Sequence, residues 1–113
     1  MPIYMLNICY DPTDRSPRGP SKQAQHAALE AQLREQGIYE GGAGLYPVGY
    51  LPAVRLRGGK ALDGPFAETK EAIGGFFVVN CEDFEAARTI AGRIETGEQA
   101  WVEIRQVGIW RPK

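Results

Sequence analysis

Residues 74–80 read Gly74-Gly75-Phe76-Phe77-Val78-Val79-Asn80, and this stretch decides the fold. A short run that is apolar at consecutive positions is buried on both faces when it forms a strand, so it predicts a strand in the middle of a sheet. The residues that follow Glu82-Asp83 have apolar side chains at helical spacing, which predicts a helix packed on that sheet. The apolar stripe of this helix comprises Phe84, Ala87, Ile90, Ala91 and Ile94.

A strand and a helix are also predicted in the N-terminal third of the chain. Residues 3–10 are rich in apolar and β-forming side chains and stop at Asp11-Pro12, which indicates the first strand. Ser21 is a suitable N-cap for a helix from about Lys22 to Gln36 that ends at Gly37. On that helix His26, Leu29 and Leu33 fall on one stripe, which we expect to face the sheet.

The remaining strands are shorter or less regular. Ile38 begins a short second strand, which we expect Gly41, Gly42 and Gly44 to interrupt. Residues 53–57 and 60–62, joined by Gly58-Gly59, form a candidate hairpin. Residues 101–109 form the last strand, with Val102 and Ile104 facing inward and Glu103 and Arg105 on the other side.

The order β-α-β-hairpin-β-α-β predicts one domain over residues 1–113 with a ferredoxin-like α+β fold. Two helices cover only one face of an antiparallel sheet. Because strands alternate, the open face must carry one of Phe76 and Phe77, together with either the odd-numbered or the even-numbered apolar residues of 3–8. Such apolar surface favours a partner, and a two-fold homodimer that packs sheet against sheet is the simplest solution.

Composition excludes several classes of protein. With 13 basic and 14 acidic residues the net charge is −1, so no nucleic-acid partner is expected, and an exposed hairpin explains the local cluster of Arg55, Arg57 and Lys60. No apolar run reaches the roughly 18 residues of a membrane span, and no signal peptide is visible. Two cysteines favour a reducing, cytoplasmic compartment. We expect Cys9 and Cys81 to be free thiols, because the predicted topology puts them at opposite ends of paired strands.

Residues 63–71, Asp63-Gly64-Pro65-Phe66-Ala67-Glu68-Thr69-Lys70-Glu71, form a loop with more chemistry than a connector needs. This Asp-Gly-Pro-Phe (DGPF) run resembles the signature of the DGPF branch of the YCII-related family. Segments 5–10, 37–45, 74–81, 84–87 and 102–105 resemble that family as well. The resemblance implies a ferredoxin-like fold that pairs into a dimeric α+β barrel, in a family most of whose members have no established activity.

His26 and Asp63 are the candidate catalytic residues. The family resemblance implies that a histidine on the first helix acts with an aspartate as an acid–base pair, and imidazole, which titrates near neutrality, suits that role. The residues themselves leave other interpretations open. His26 on an apolar stripe is also typical of a structural histidine, and Asp63 before Gly-Pro is also typical of a side chain that caps its own loop.

Asn7, Phe66, Lys70 and Arg105 are the candidate ligand-binding residues. Asn7 and Arg105 are polar positions within strands, where a pocket lining and cross-strand pairing are both consistent with the sequence. Phe66 and Lys70 belong to the loop, whose charges Glu68, Lys70 and Glu71 also fit a solvated surface. One histidine and two separated cysteines give no metal-ligand spacing, and no nucleotide-binding glycine motif is present, so no cofactor is expected.

Two functions follow from these patterns. The first is cofactor-free acid–base chemistry of the isomerase or lyase type on a small ligand. In this function His26 would move the proton, Asp63 would orient the His26 ring, and Arg105 or Lys70 would hold an anionic group. The second, implied by the resemblance, is a non-enzymatic regulatory or binding module associated with an extracytoplasmic-function sigma factor.

Overall fold

The computed structural model describes residues 1–14, 16–17, 19–61 and 71–113. Within these residues, two helices and six strands follow one another in the predicted order, which is that of a ferredoxin-like α+β fold. Their bounds are β1 Ile3–Tyr10, α1 Gln23–Glu35, β2 Tyr39–Gly44, β3 Leu56–Arg57, β4 Lys60–Ala61, β5 Ala72–Asn80, α2 Phe84–Ala91 and β6 Ala100–Gln106.

The main sheet has the strand order β2-β5-β1-β6, and each neighbouring pair is antiparallel. The prediction that residues 74–80 form a central strand is confirmed, because β5 lies between β2 and β1. Ile3 pairs with Asn80 and Cys9 pairs with Ile73. Cys9 and Cys81 therefore lie at opposite ends of the β1–β5 pair, and both are buried free thiols.

The core lies between the two helices and one face of the sheet. Leu6, Leu33 and Val79 are the largest side chains that are fully buried there, and they come from β1, α1 and β5. Tyr4, Leu6 and Phe77 also belong to this core. The helix face is thus formed by the even-numbered residues of β1 and by Phe77, and the open face by the odd-numbered residues of β1 and by Phe76.

The ends of the helices differ from the sequence prediction. The N-cap of α1 is Lys22 rather than Ser21, although the Ser21 hydroxyl still accepts a hydrogen bond from the Gln23 backbone N–H at 3.2 Å. Asp83 caps α2 by accepting from the Ala86 N–H at 2.9 Å. Phe84, the first residue of α2, is 48% exposed rather than buried, and its ring packs edge-on against Tyr4 with the centroids 6.3 Å apart.

The shorter strands also differ in detail. The glycines do not interrupt β2, which pairs with β5 throughout, except for a register shift between Tyr39 and Gly41. The predicted hairpin is present but shorter, with Gly58 at φ 57° and Gly59 at φ 82°, values that favour glycine. Leu62, its predicted end, lies outside the described residues. Strand β6 ends at Gln106 rather than Ile109.

Within the part of the chain that the structure describes, neither helix is long and apolar enough to cross a membrane.

Candidate functional site

A cleft of about 540 Å³ opens between the N-terminal half of α1 and the helix face of the sheet. Its floor contains Gly42 and Gly44 of β2 and Gly75 of β5. Gly44 pairs with Gly75, which pairs in turn with Ile8, a residue packed against the core. Side chains directly opposite one another in a sheet point to the same face, so all three glycines belong to the helix face and none of them covers it with a side chain. A Cβ at Gly44 would meet nothing within 4 Å, whereas a Cβ at Gly42 or Gly75 would lie within 3 Å of a carbonyl oxygen of the neighbouring strand. We call this cleft the helix–sheet cleft.

His26 lies on the wall of the helix–sheet cleft, half-buried. Its ring packs edge-on against Phe77, with the centroids 6.0 Å apart, and its Nε2 lies 2.7 Å from the backbone carbonyl oxygen of Glu95. A carbonyl only accepts hydrogen bonds, so Nε2 carries the proton and the lone pair of the neutral ring is on Nδ1. The contact with Glu95 therefore leaves Nδ1 as a proton acceptor.

Glu30 and Tyr39 form a second polar group in the same cleft. The Tyr39 hydroxyl donates to Glu30 Oε1 at 3.5 Å, and Arg34 Nε donates to Glu30 Oε2 at 3.0 Å. The Arg34 guanidinium also lies over the Tyr39 ring, 4.5 Å from its centroid. Burial, and then the Glu30 carboxylate, raise the pKa of Tyr39 above its ordinary value of 10.0. The phenol is therefore protonated at neutral pH.

The structure separates the residues that the sequence singled out. His26 lines the helix–sheet cleft. Asn7 and Arg105 belong to the opposite face, where Asn7 pairs with Phe76 and Glu103, so they do not join His26. Asp63, Phe66 and Lys70 lie outside the described residues, as does the rest of the DGPF motif. Asn7 is only 7% exposed, and its Oδ1 is buried with no hydrogen-bond partner among the residues that the structure describes.

Sequence reasoning missed Glu30 and Tyr39 as cleft residues. A signal for Glu30 was present, because Gln23, His26, Ala27 and Glu30 fall at the i, i+3, i+4 and i+7 positions of one helix face, and all four line the cleft. The position of Tyr39 depends on the path of the chain between α1 and β2, which helical periodicity does not encode.

A second groove, of about 470 Å³, lies on the open face and is mostly apolar. Its lining includes Met5, Phe76, Val78, Val107, Ile109 and Trp110. We call it the open-face groove. It lies on the surface that the sequence predicts to meet a second copy of the chain.

Among residues 1–14, 16–17, 19–61 and 71–113, no three His, Cys, Asp or Glu side chains are grouped so as to hold a metal ion. The polar side chains that line the helix–sheet cleft include His26, Glu30 and Tyr39, which are able to form hydrogen bonds.

Comparisons with known proteins extend over most of the chain. The sequence profile of the YCII-related domain matches residues 3–111. The chain is also similar to an uncharacterized protein of Rhizobium meliloti (strain 1021), with 28% identity over 90 residues that cover 76% of this chain and 73% of the relative. Neither description names a ligand, a reaction or a partner.

Proposed function

The chain belongs to the YCII-related family, and from that premise we propose that it binds a small molecule in the helix–sheet cleft and moves a proton on it with His26, without a cofactor. The observation that carries this proposal is the 2.7 Å contact between His26 Nε2 and the Glu95 carbonyl, on the wall of a cleft of ligand size. Asp63 belongs to the proposal as the carboxylate that orients the imidazole or binds a ligand hydroxyl.

The Glu95 contact supports both halves of a proton transfer. Before transfer, it keeps the proton on Nε2 and the lone pair on Nδ1. When Nδ1 accepts a proton from the ligand, the ring becomes positively charged, and the same N–H donates a stronger, charge-assisted hydrogen bond to the carbonyl. The contact therefore fixes the direction of the ring and stabilises the cation that forms.

The tautomer is the first test, because His26 is the one histidine in the chain. A long-range proton–nitrogen NMR spectrum of the neutral ring reports which nitrogen is protonated. We expect Nε2–H and an unprotonated Nδ1. The opposite tautomer would remove the basis for His26 as a base on the cleft side.

Binding and proton transfer are tested together with two small hydroxyketones, 4-hydroxycyclohexanone and hydroxyacetone, in deuterated water. We expect the protein to accelerate the exchange of their α-protons, and His26→Gln to lower the accelerated rate by about 100-fold or more. Ala27→Phe fills the cleft from the helix side, whereas Ala28→Phe puts the same ring on the neighbouring exposed position outside it. We expect Ala27→Phe to abolish exchange and Ala28→Phe to keep it.

Asp63→Asn is the remaining arm of this experiment. Loss of the carboxylate is expected to lower the exchange rate, because a nearby negative charge stabilises the imidazolium that forms and a neutral amide does not. An unchanged rate would remove Asp63 from the proposal. Equal effects of Ala27→Phe and Ala28→Phe would place the reaction outside the helix–sheet cleft.

A further inference from the structure

We propose that the ligand of the helix–sheet cleft is a flat, hydrogen-bond-donating molecule that is neutral or cationic, and that Tyr39 and Glu30 select it. This inference rests on the proposed function, because it names the ligand class of the same cleft. It departs from the sequence-based expectation of an anion held by Arg105 or Lys70.

The three polar side chains that face one another across the cleft, His26, Tyr39 and Glu30, mainly offer acceptors. Nδ1 of His26 carries a lone pair because Nε2 donates to Glu95. The Tyr39 hydroxyl already donates its proton to Glu30, so its remaining capacity is to accept. The Glu30 carboxylate only accepts. A ligand must therefore bring O–H or N–H groups to satisfy these atoms, and a carboxylate or phosphate would leave them without donors.

Charge favours the same ligand class. Glu30 is the one carboxylate among the described residues that line the cleft, and no lysine or arginine is among them. Arg34, which is not among the lining residues of the cleft, pairs with Glu30 Oε2, while Oε1 is the oxygen that accepts from the Tyr39 hydroxyl. An anionic ligand would meet a carboxylate, whereas an amidinium or ammonium group would be attracted to it.

Three contacts fix the position of the Tyr39 hydroxyl. The ring lies under the Arg34 guanidinium and packs edge-on against Phe77, with the centroids 6.4 Å apart. The hydroxyl then sits above Gly42, so close that a Cβ at that position would be 2.9 Å from its oxygen. Only glycine leaves room for the phenol there, so the backbone of β2 and the hydroxyl are matched to one another.

The rest of the cleft suits a flat apolar body. Gly42, Gly44 and Gly75 line the floor without side chains, and Ile8, Ala27 and Phe77 provide apolar surface beside them. A six-membered ring that lies along this floor brings its substituent toward the Tyr39–Glu30 pair. Apolar walls with a few convergent polar atoms are typical of small-molecule sites.

Benzamidine, benzamide and benzoate test the proposal, because they share one shape and carry positive, zero and negative charge. Binding is measured by titration of backbone amide shifts of cleft residues in the full chain at neutral pH. We expect benzamidine to bind most tightly, benzamide next, and benzoate about tenfold or more below benzamidine. Ala27→Phe is expected to abolish the shifts and Ala28→Phe to keep them.

Two substitutions separate the contributions of the pair. Glu30→Gln keeps the size but removes the charge, so the difference between benzamidine and benzamide should shrink to less than about twofold. Tyr39→Phe keeps the ring under Arg34 but removes the oxygen, so benzamidine and benzamide should both bind more weakly. Tyr50→Phe, which removes the hydroxyl of an exposed tyrosine outside the cleft, is the control and should change nothing.

The outcomes distinguish this inference from the proposed function. If none of the three probes shifts the cleft amides, both are overturned. If probes bind in the cleft but benzoate matches benzamidine, or if Glu30→Gln leaves the difference in affinity between benzamidine and benzamide unchanged, the ligand class is wrong while the binding site stands. Equal effects of Tyr39→Phe and Tyr50→Phe would remove Tyr39 from the selection.

Discussion

Alanine in place of Gly42 is predicted to destabilise the protein, although the change adds a single methyl group. A Cβ at this position would lie 2.6 Å from the carbonyl oxygen of Phe76 and 2.9 Å from the hydroxyl of Tyr39. Ordinary contacts of a Cβ begin at 3.4 Å, so the backbone contact is about 0.8 Å too short. The carbonyl belongs to the central strand β5 and is not free to move away.

The structure limits how this clash can be relieved. Strand β2 is at the edge of the sheet, so it must retreat from β5 and lengthen the ladder bonds near Gly42. Overpacking of this kind costs about 1–3 kcal/mol of the free energy of unfolding. In a domain of this size each kcal/mol corresponds to about 4 °C, so the midpoint of thermal unfolding should fall by about 4–12 °C.

Gly44→Ala is the matched control. Gly44 belongs to the same strand and the same face, but a Cβ there meets nothing within 4 Å. We expect this variant to unfold at or slightly above the temperature of the unmodified protein, because alanine reduces the entropy of the unfolded chain. Calorimetry or circular dichroism of both variants measures the difference. Equal midpoints for the two variants would refute the close approach of β2 and β5 at Gly42.

Three further results are expected. Asp83→Ala removes the N-cap of α2 and should cost about 1 kcal/mol of the free energy of unfolding, whereas Glu82→Ala, at the neighbouring exposed carboxylate, should have little effect; equal unfolding midpoints would contradict the cap. Burial first, and then Glu103 and Glu71 for Cys9 and Asp83 for Cys81, raise the pKa of both thiols above 9.0. Titration of denatured, unreduced protein should find two thiols, and both should react slowly in the native state; rapid native reaction at pH 8 would argue against burial. Because the raised pKa values favour the protonated thiols in the folded protein, their contribution to its stability should be fully present below pH 9.0 and decrease as the pH rises through the raised values. Light scattering should show a homodimer that packs through the open-face groove, and a particle of 12.4 kDa at micromolar concentration would contradict it.

The fold was predictable because it depends on patterns that short stretches of sequence carry. The apolar run of residues 74–80 identified the central strand, and the 3.6-residue period identified both helices. Which residues of β1 face the helices was not predictable, because Tyr4, Leu6 and Ile8 are as apolar as Ile3 and Met5. Only the packing of Leu6 under α1 decides which set meets the helices. The predicted N-cap of α1, Ser21, differs by one residue from the observed one, Lys22, since both residues are able to precede a helix.

The candidate site was predictable in part. The helical stripe correctly put His26 against the sheet, and the cleft beside it follows from glycines that seemed only to weaken β2. Asn7 and Arg105, the candidate ligand-binding residues of the strands, lie on the face of the sheet away from His26, because neighbouring residues of a strand point to opposite faces. The roles of Asp63, Phe66 and Lys70 stay predictions, as does the association with a sigma factor.

The register shift at Glu40 has a consequence for self-association. Strand β2 forms one edge of the sheet and contains three glycines, so its outer backbone is poorly shielded by side chains. A flat edge of this kind is a template on which another chain adds a strand, and such growth leads to aggregates. The extra residue at Glu40 breaks the regular spacing of backbone groups and places a negative charge at the edge. A chain without this irregularity would present an even ladder to its neighbours, and its solubility would fall.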